Sequence, residues 1–139
     1  MKISKVVLLT AALMLCTAHL RAQVTIIANP GVSASSISKS ELRSVFTGES
    51  LRLKDGSHVK PVLLKEGTAH AAFLSGDLSM SAVSLLVCWR QKVFSGEAVM
   101  PPTFSSEAEA VAYIVKTPGA IGYITATTPH EGVKVLVLK

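Results

Sequence analysis

The sequence predicts a mixed α/β domain over residues 23–139, with elements in the order β α β β α α α β β. Three observations carry that prediction. Short β-branched or aliphatic runs end at Pro or Gly, as strands do. Two Ser-x-x-Glu boxes stand directly before apolar residues at helical spacing. The two kinds of segment alternate along the chain without repeat or low-complexity sequence, which is the pattern of helices packed on a sheet.

Val24-Thr25-Ile26-Ile27-Ala28-Asn29 reads as a buried strand closed by Pro30-Gly31, followed by a polar loop to Ile37. Ser38-Lys39-Ser40-Glu41 is a capping box, and the helix it opens carries Leu42, Val45 and Phe46 before Thr47-Gly48 ends it. Leu51–Leu53 reads as a short strand, Lys54–Ser57 as a turn, and Val59–Leu64 as a second strand that Pro61 places at an edge. Gly67-Thr68-Ala69-His70 starts a helix through Phe73 and Leu74 that stops near Ser75-Gly76. A longer helix from about Met80 to Phe94 places Ala82, Leu85, Leu86, Trp89 and Val93 on one buried stripe. Met100-Pro101-Pro102 is extended. Ser106 and Glu109 form the second box, opening a helix through Val111, Ala112, Ile114 and Val115 that Thr117-Pro118-Gly119 breaks. Ala120–Ile124 and Val133–Leu138 complete the strands.

Residues 1–22 read as an export signal. Met1–Lys5 is a short basic start, Val6–Leu20 an apolar run, and Arg21-Ala22-Gln23 a small-residue cleavage region, with Ala18 an alternative. The apolar run is too short to span a bilayer comfortably, so no stable membrane insertion is expected after cleavage. Cys16 follows Leu15 rather than a small residue, which argues against a lipid anchor. The expected location is periplasmic or secreted. Three of the 14 basic residues (Lys2, Lys5 and Arg21) lie in this segment and none of the nine acids does, so the net charge of +5 largely belongs to it. The remainder is close to neutral and carries no cluster of Lys and Arg for a nucleic-acid backbone.

Chemistry-bearing patterns are sparse. Cys88, the one cysteine after residue 22, lies in Leu85-Leu86-Val87-Cys88-Trp89 and reads as a small buried hydrophobe. His58, His70 and His130 have no metal-ligand spacing, and His58 and His130 read as solvated. No Gly-x-Ser-x-Gly elbow occurs and the carboxylates are scattered, so neither an enzyme, a metal nor a cofactor is expected. Two helix starts are lined by small hydroxyl residues: Ser33, Ser35, Ser36 and Ser38 before one, Gly67 and Thr68 before another with His70 in its first turn. Such starts present unpaired amides and partial positive charge, so they can hold an oxyanion, although ordinary capping uses the same residues.

Three stretches resemble the periplasmic phosphate-binding proteins of ABC importers, especially their short single-domain relatives. Val24–Asn29 with Ile37-Ser38-Lys39-Ser40-Glu41-Leu42-Arg43-Ser44-Val45-Phe46-Thr47-Gly48 is similar to the family's first strand and helix. Asp55-Gly56-Ser57-His58-Val59-Lys60-Pro61-Val62 is similar to the next turn and strand. Trp89-Arg90-Gln91-Lys92-Val93-Phe94-Ser95-Gly96 joins Thr117-Pro118-Gly119-Ala120-Ile121-Gly122-Tyr123, the most specific of the matches. The resemblance implies one lobe of a type 2 periplasmic-binding-protein domain, a mixed β-sheet flanked by helices, with no catalytic role. Taken with the two helix starts, it leads to an expectation of weak binding of phosphate or another small oxyanion, with Ser35, Ser36, Gly67 and Thr68 as contacts and His70 secondary. The family's Arg-Ser-Asp-Gly-Ser-Gly-Thr-Thr ligand segment is replaced by Leu63-Leu64-Lys65-Glu66-Gly67-Thr68-Ala69-His70, without its arginine and aspartate. The alternative is a protein-interaction module, taking a protein partner or a second copy on the face where another lobe would dock.

Overall fold

Ile26, Ile27 and Ala28 are all buried, so the first strand is covered on both faces. The computed structural model describes residues 23–139, and the expected export signal lies outside the described residues. Val24–Ala28 (β1) sits at the centre of a five-stranded sheet. It pairs antiparallel with Ala120–Thr125 (β6), Val24 opposite Thr125 and Ala28 opposite Ile121, and on its other side with Lys134–Leu138 (β7). Ser36–Ile37 (β2) joins β7 in parallel, and Lys60–Pro61 (β3) joins β6 in parallel, giving the order β2-β7-β1-β6-β3. Leu63–Leu64 (β4) and Thr103–Phe104 (β5) form a second, two-stranded parallel sheet. The helices are Lys39–Phe46 (α1), Thr68–Ala72 (α2), Ala82–Phe94 (α3) and Glu107–Lys116 (α4).

The expected strand at Val59–Leu64 is one extended run that changes partner. The amides of Lys60 and Val62 donate to Gly119, just before β6, and to Ile121 on it, whereas those of Leu63 and Lys65 donate to Pro102 and Phe104. Successive amides of a strand point to opposite sides, so even positions reach β6 and odd ones reach β5. Pro61, which has no amide, occupies the odd position before β5 begins, and β3 is an edge strand as its proline predicts. β5 itself went unrecognised in the sequence. Leu51–Leu53 is not a strand; only a single bridge between Arg52 and His58 forms there.

The first capping box is complete. Ser38 Oγ accepts from the Glu41 amide at 3.2 Å, and Glu41 Oε2 accepts from the Ser38 amide at 2.9 Å. The second is half formed: Ser106 Oγ accepts from the Glu109 amide, but the reciprocal bond is missing and Glu107 instead accepts from the Thr125 amide on β6. At the other end of α4, the buried Asn29 donates from Nδ2 to the carbonyls of Ile114 and Val115, at 2.9 and 3.0 Å. That side chain satisfies two terminal helix carbonyls from the end of β1.

The helix beginning at Thr68 does not stop at Ser75-Gly76. It continues as π-helical turns over Phe73–Leu78, because Leu78 is buried in the core and its carbonyl accepts from the Arg43 guanidinium. Ser79, left-handed at φ 52°, ends it. The expected buried stripe on α3 also needs correction. Leu85 and Trp89 are buried, but Leu86 and Val93 are substantially exposed, and Val83 and Phe94 are 72% and 91% exposed. Among the described residues no element covers that side of the helix. Cys88 is accordingly half-buried rather than a core residue.

Trp89 fixes α3 to α1 by donating from Nε1 to the Phe46 carbonyl at 2.9 Å. Gly48 makes room for it: its φ is +77°, and a Cβ there would stand 3.1 Å from the indole ring. Trp89→Phe should therefore destabilise the domain by about 2–4 kcal/mol, combining lost packing with an unpartnered carbonyl. The shift of the urea midpoint at unchanged slope checks this.

Candidate functional site

The polar residues of the first helix start surround a cavity of about 290 Å³. Ser35, Ser36 and Ser38, Glu41, the Lys54-Asp55 turn and Lys139 line it. Lys134 Nζ donates to the carbonyls of Val32 and Ser33 and so anchors the loop that delivers the serines. Glu41 is fully engaged, accepting from the Ser38 amide and, through Oε1, from the Lys54 amide at 2.9 Å. The Ser38 amide lowers its carboxyl pKa, so Glu41 remains ionised beside the serines. Asp55 accepts from the Ser57 amide, which holds its carboxyl low as well. The cavity thus mixes two ammonium groups with two carboxylates, and no arginine lines it.

A second cavity, about 390 Å³, opens between β4, β5 and α3. Leu63, Leu64, Leu85, Leu86, Trp89 and Met100 make its apolar wall, and Lys65 and His70 are its ionisable residues. A third, about 410 Å³, shares Trp89 and Met100 with it and reaches His58, Lys60 and Tyr113.

The five residues singled out as oxyanion contacts are not gathered in one cavity. Ser35 and Ser36 line the first. His70, half-buried, lines the second, while Gly67 and Thr68 are exposed and line neither. The reason is topological, since β2 lies at one edge of the sheet and the β3–β4 run that leads to Gly67 leaves from the other. Gly67 also offers α2 no side-chain cap. His58 is exposed, and His130 Nδ1 lies 2.7 Å from the Thr128 carbonyl. No group of three or more His, Cys, Asp or Glu suited to a metal ion occurs among the described residues.

His70 belongs to a chain that sequence reasoning missed. Tyr123 Oη accepts from the Leu64 amide at 2.9 Å and lies 2.6 Å from His70 Nδ1. With the Leu64 amide already donating to Oη, donation of the phenol proton to Nδ1 would place the His70 proton on Nε2, whereas the opposite tautomer would make Oη accept twice. Burial pushes the Tyr123 pKa up, which keeps the phenol neutral, and burial lowers that of His70, which keeps the imidazole neutral. The only sequence signal for this chain was a Tyr in a buried strand, where a hydroxyl needs a partner.

No family model matches the chain, and no curated protein sequence matches it significantly. Solved structures do. An ABC-type phosphate transport receptor from Vibrio cholerae superposes with a TM-score of 0.61 at 13% identity, over 83% of this chain and 45% of that one. The fold is that of one periplasmic-binding-protein lobe. PstS from Borrelia burgdorferi gives the same TM-score at 14% identity, over 84% of this chain and 47% of its own. A Clostridium perfringens protein described as a phosphate ABC transporter substrate-binding protein, solved with phosphate bound, matches at 0.61 and 15%, over 83% and 44%. The chain therefore spans less than half the length of these relatives in fold, as expected for a short periplasmic-binding-protein-like lobe.

The neutral His70 has a measurable consequence. A histidine whose folded pKa lies below its ordinary 6.5 contributes stability above that pH, and loses it as the pH falls toward the folded value. The stability of the wild type relative to His70→Gln should accordingly decline from pH 7.5 to 5.5, because shared contributions from Glu41 and Asp77 cancel in the comparison. Parallel thermal-melting series would check it, and a difference independent of pH would contradict it.

Proposed function

We propose that this chain is an exported, non-catalytic single-lobe domain of the periplasmic-binding-protein kind, which holds phosphate or a similar small oxyanion weakly at Ser35 and Ser36. The observation that carries the reading is the first cavity, where Ser35 and Ser36, just before a helix start, line the same space as Lys54 and Lys139. Kinship of fold with phosphate transport receptors supports the same ligand class. Weakness follows from the same cavity: Glu41 and Asp55 oppose an anion, and there is no guanidinium to make bidentate contacts. Gly67 and Thr68 remain candidates only for a separate, exposed contact. Calorimetric titration of micromolar protein with inorganic phosphate should give weak or no heat. A sub-micromolar dissociation constant would overturn the reading.

A second reading, a protein-interaction module, is favoured by α3. Val83, Leu86, Val87, Val93 and Phe94 leave an apolar strip open along that helix. On this reading the strip takes a protein partner or a second copy. Sedimentation equilibrium would show a concentration-dependent dimer that Phe94→Ser dissolves; a monomer at all concentrations would remove the second copy as occupant.

A further inference from the structure

We propose that the cavity between β4, β5 and α3 is a second ligand site, separate from the serine cavity, and that it takes a small carboxylate with an apolar body, such as a medium-chain alkanoate. Its volume of about 390 Å³ suits a small molecule. Its walls divide by chemistry. Leu85, Leu86, Trp89 and Met100 offer an apolar surface that phosphate would leave uncovered, while Lys65 and His70 are the only ionisable side chains lining it. No carboxylate side chain lines it, in contrast with the serine cavity.

His70 supplies the more specific element. Its Nδ1 is held by Tyr123 Oη, whose own acceptor capacity serves the buried Leu64 amide. The ring is thereby fixed, and its Nε2–H has no partner among the described residues. Every side-chain nitrogen or oxygen that is fully buried among those residues has a partner, so Nε2 is an accessible donor on a residue that lines the cavity. A carboxylate oxygen can accept from that N–H and gain the nearby Lys65 charge, while an alkyl chain lies against Leu85, Leu86 and Trp89. Both halves of the ligand are needed: the apolar wall selects the body, and the two donors select the head.

Trp89 is the single tryptophan of the chain and lines the site, so its emission responds to occupancy, and Lys65, absent from the neighbouring cavity that shares Trp89, identifies which of the two is filled. The whole mature chain would be titrated with decanoate below its micelle concentration, with decanol, and with inorganic phosphate. Decanoate should change Trp89 emission saturably, decanol should bind roughly tenfold more weakly, and phosphate should leave the emission unchanged. Lys65→Met, at an exposed position that should not disturb folding, should weaken decanoate about tenfold and leave decanol unaffected. Leu86→Asp, on the open face of α3, should abolish the response to both. Equal affinity for decanoate and decanol, an unaltered Lys65→Met, or no saturable response would each overturn the proposal. Displacement of decanoate by phosphate would overturn the separation of the two sites, whereas phosphate binding without displacement bears only on the serine cavity.

Discussion

Tyr123 stands on the central strand pair, opposite Ile26 on β1, and is 1% exposed. Its ring stacks on Phe73 with centroids 3.9 Å apart and planes 6° from parallel, and it meets Phe46 edge-on at 5.7 Å. Its hydroxyl holds the Leu64 amide and the His70 ring. One side chain thus connects β6 to β4, to both turns of the second helical segment and to α1. A buried phenol that left either partner unmatched would cost about 1–3 kcal/mol, which ties the positions of Leu64 and His70 to that of Tyr123. The partner switch of the Val59–Leu64 run occurs where this hydroxyl takes over from the β6 backbone.

Local physics made much of the fold legible. The Ser38–Glu41 box, the Pro61 edge and the β-branched core strand were read from sequence because each depends on residues within a few positions. What sequence could not place depends on distant contacts. β5 exists because Pro102 and Phe104 offer carbonyls to Leu63 and Lys65. The helix overruns Ser75-Gly76 because Leu78 has a core site and Arg43 holds its carbonyl. The apolar spacing of α3 implied a buried stripe, but spacing measures a helix's face and not whether anything lies against it. Burial of only Leu85 and Trp89 is a property of the surrounding lobe.

Of the candidate site, the polar residues at a helix start were legible, and their separation was not. Ser35 and Ser36 line a polar cavity, yet the strand order sends Gly67 and Thr68 to the other side of the sheet. His70 reads from sequence as a residue in a helix start, and its hydrogen-bond partner, Tyr123, lies 53 positions away. Two cavities of different charge character follow from one lobe. The serine cavity balances lysines against carboxylates, and the Trp89 cavity pairs an apolar wall with Lys65 and His70 and no carboxylate.

The proposed second site depends on the direction of one hydrogen bond, from Tyr123 to His70 Nδ1. Nitrogen-15 NMR of the labelled imidazole at neutral pH reads that direction directly. The account predicts an unprotonated, hydrogen-bonded Nδ1 and a protonated Nε2 for His70. A protonated Nδ1, or rapid averaging of the two tautomers, would contradict it.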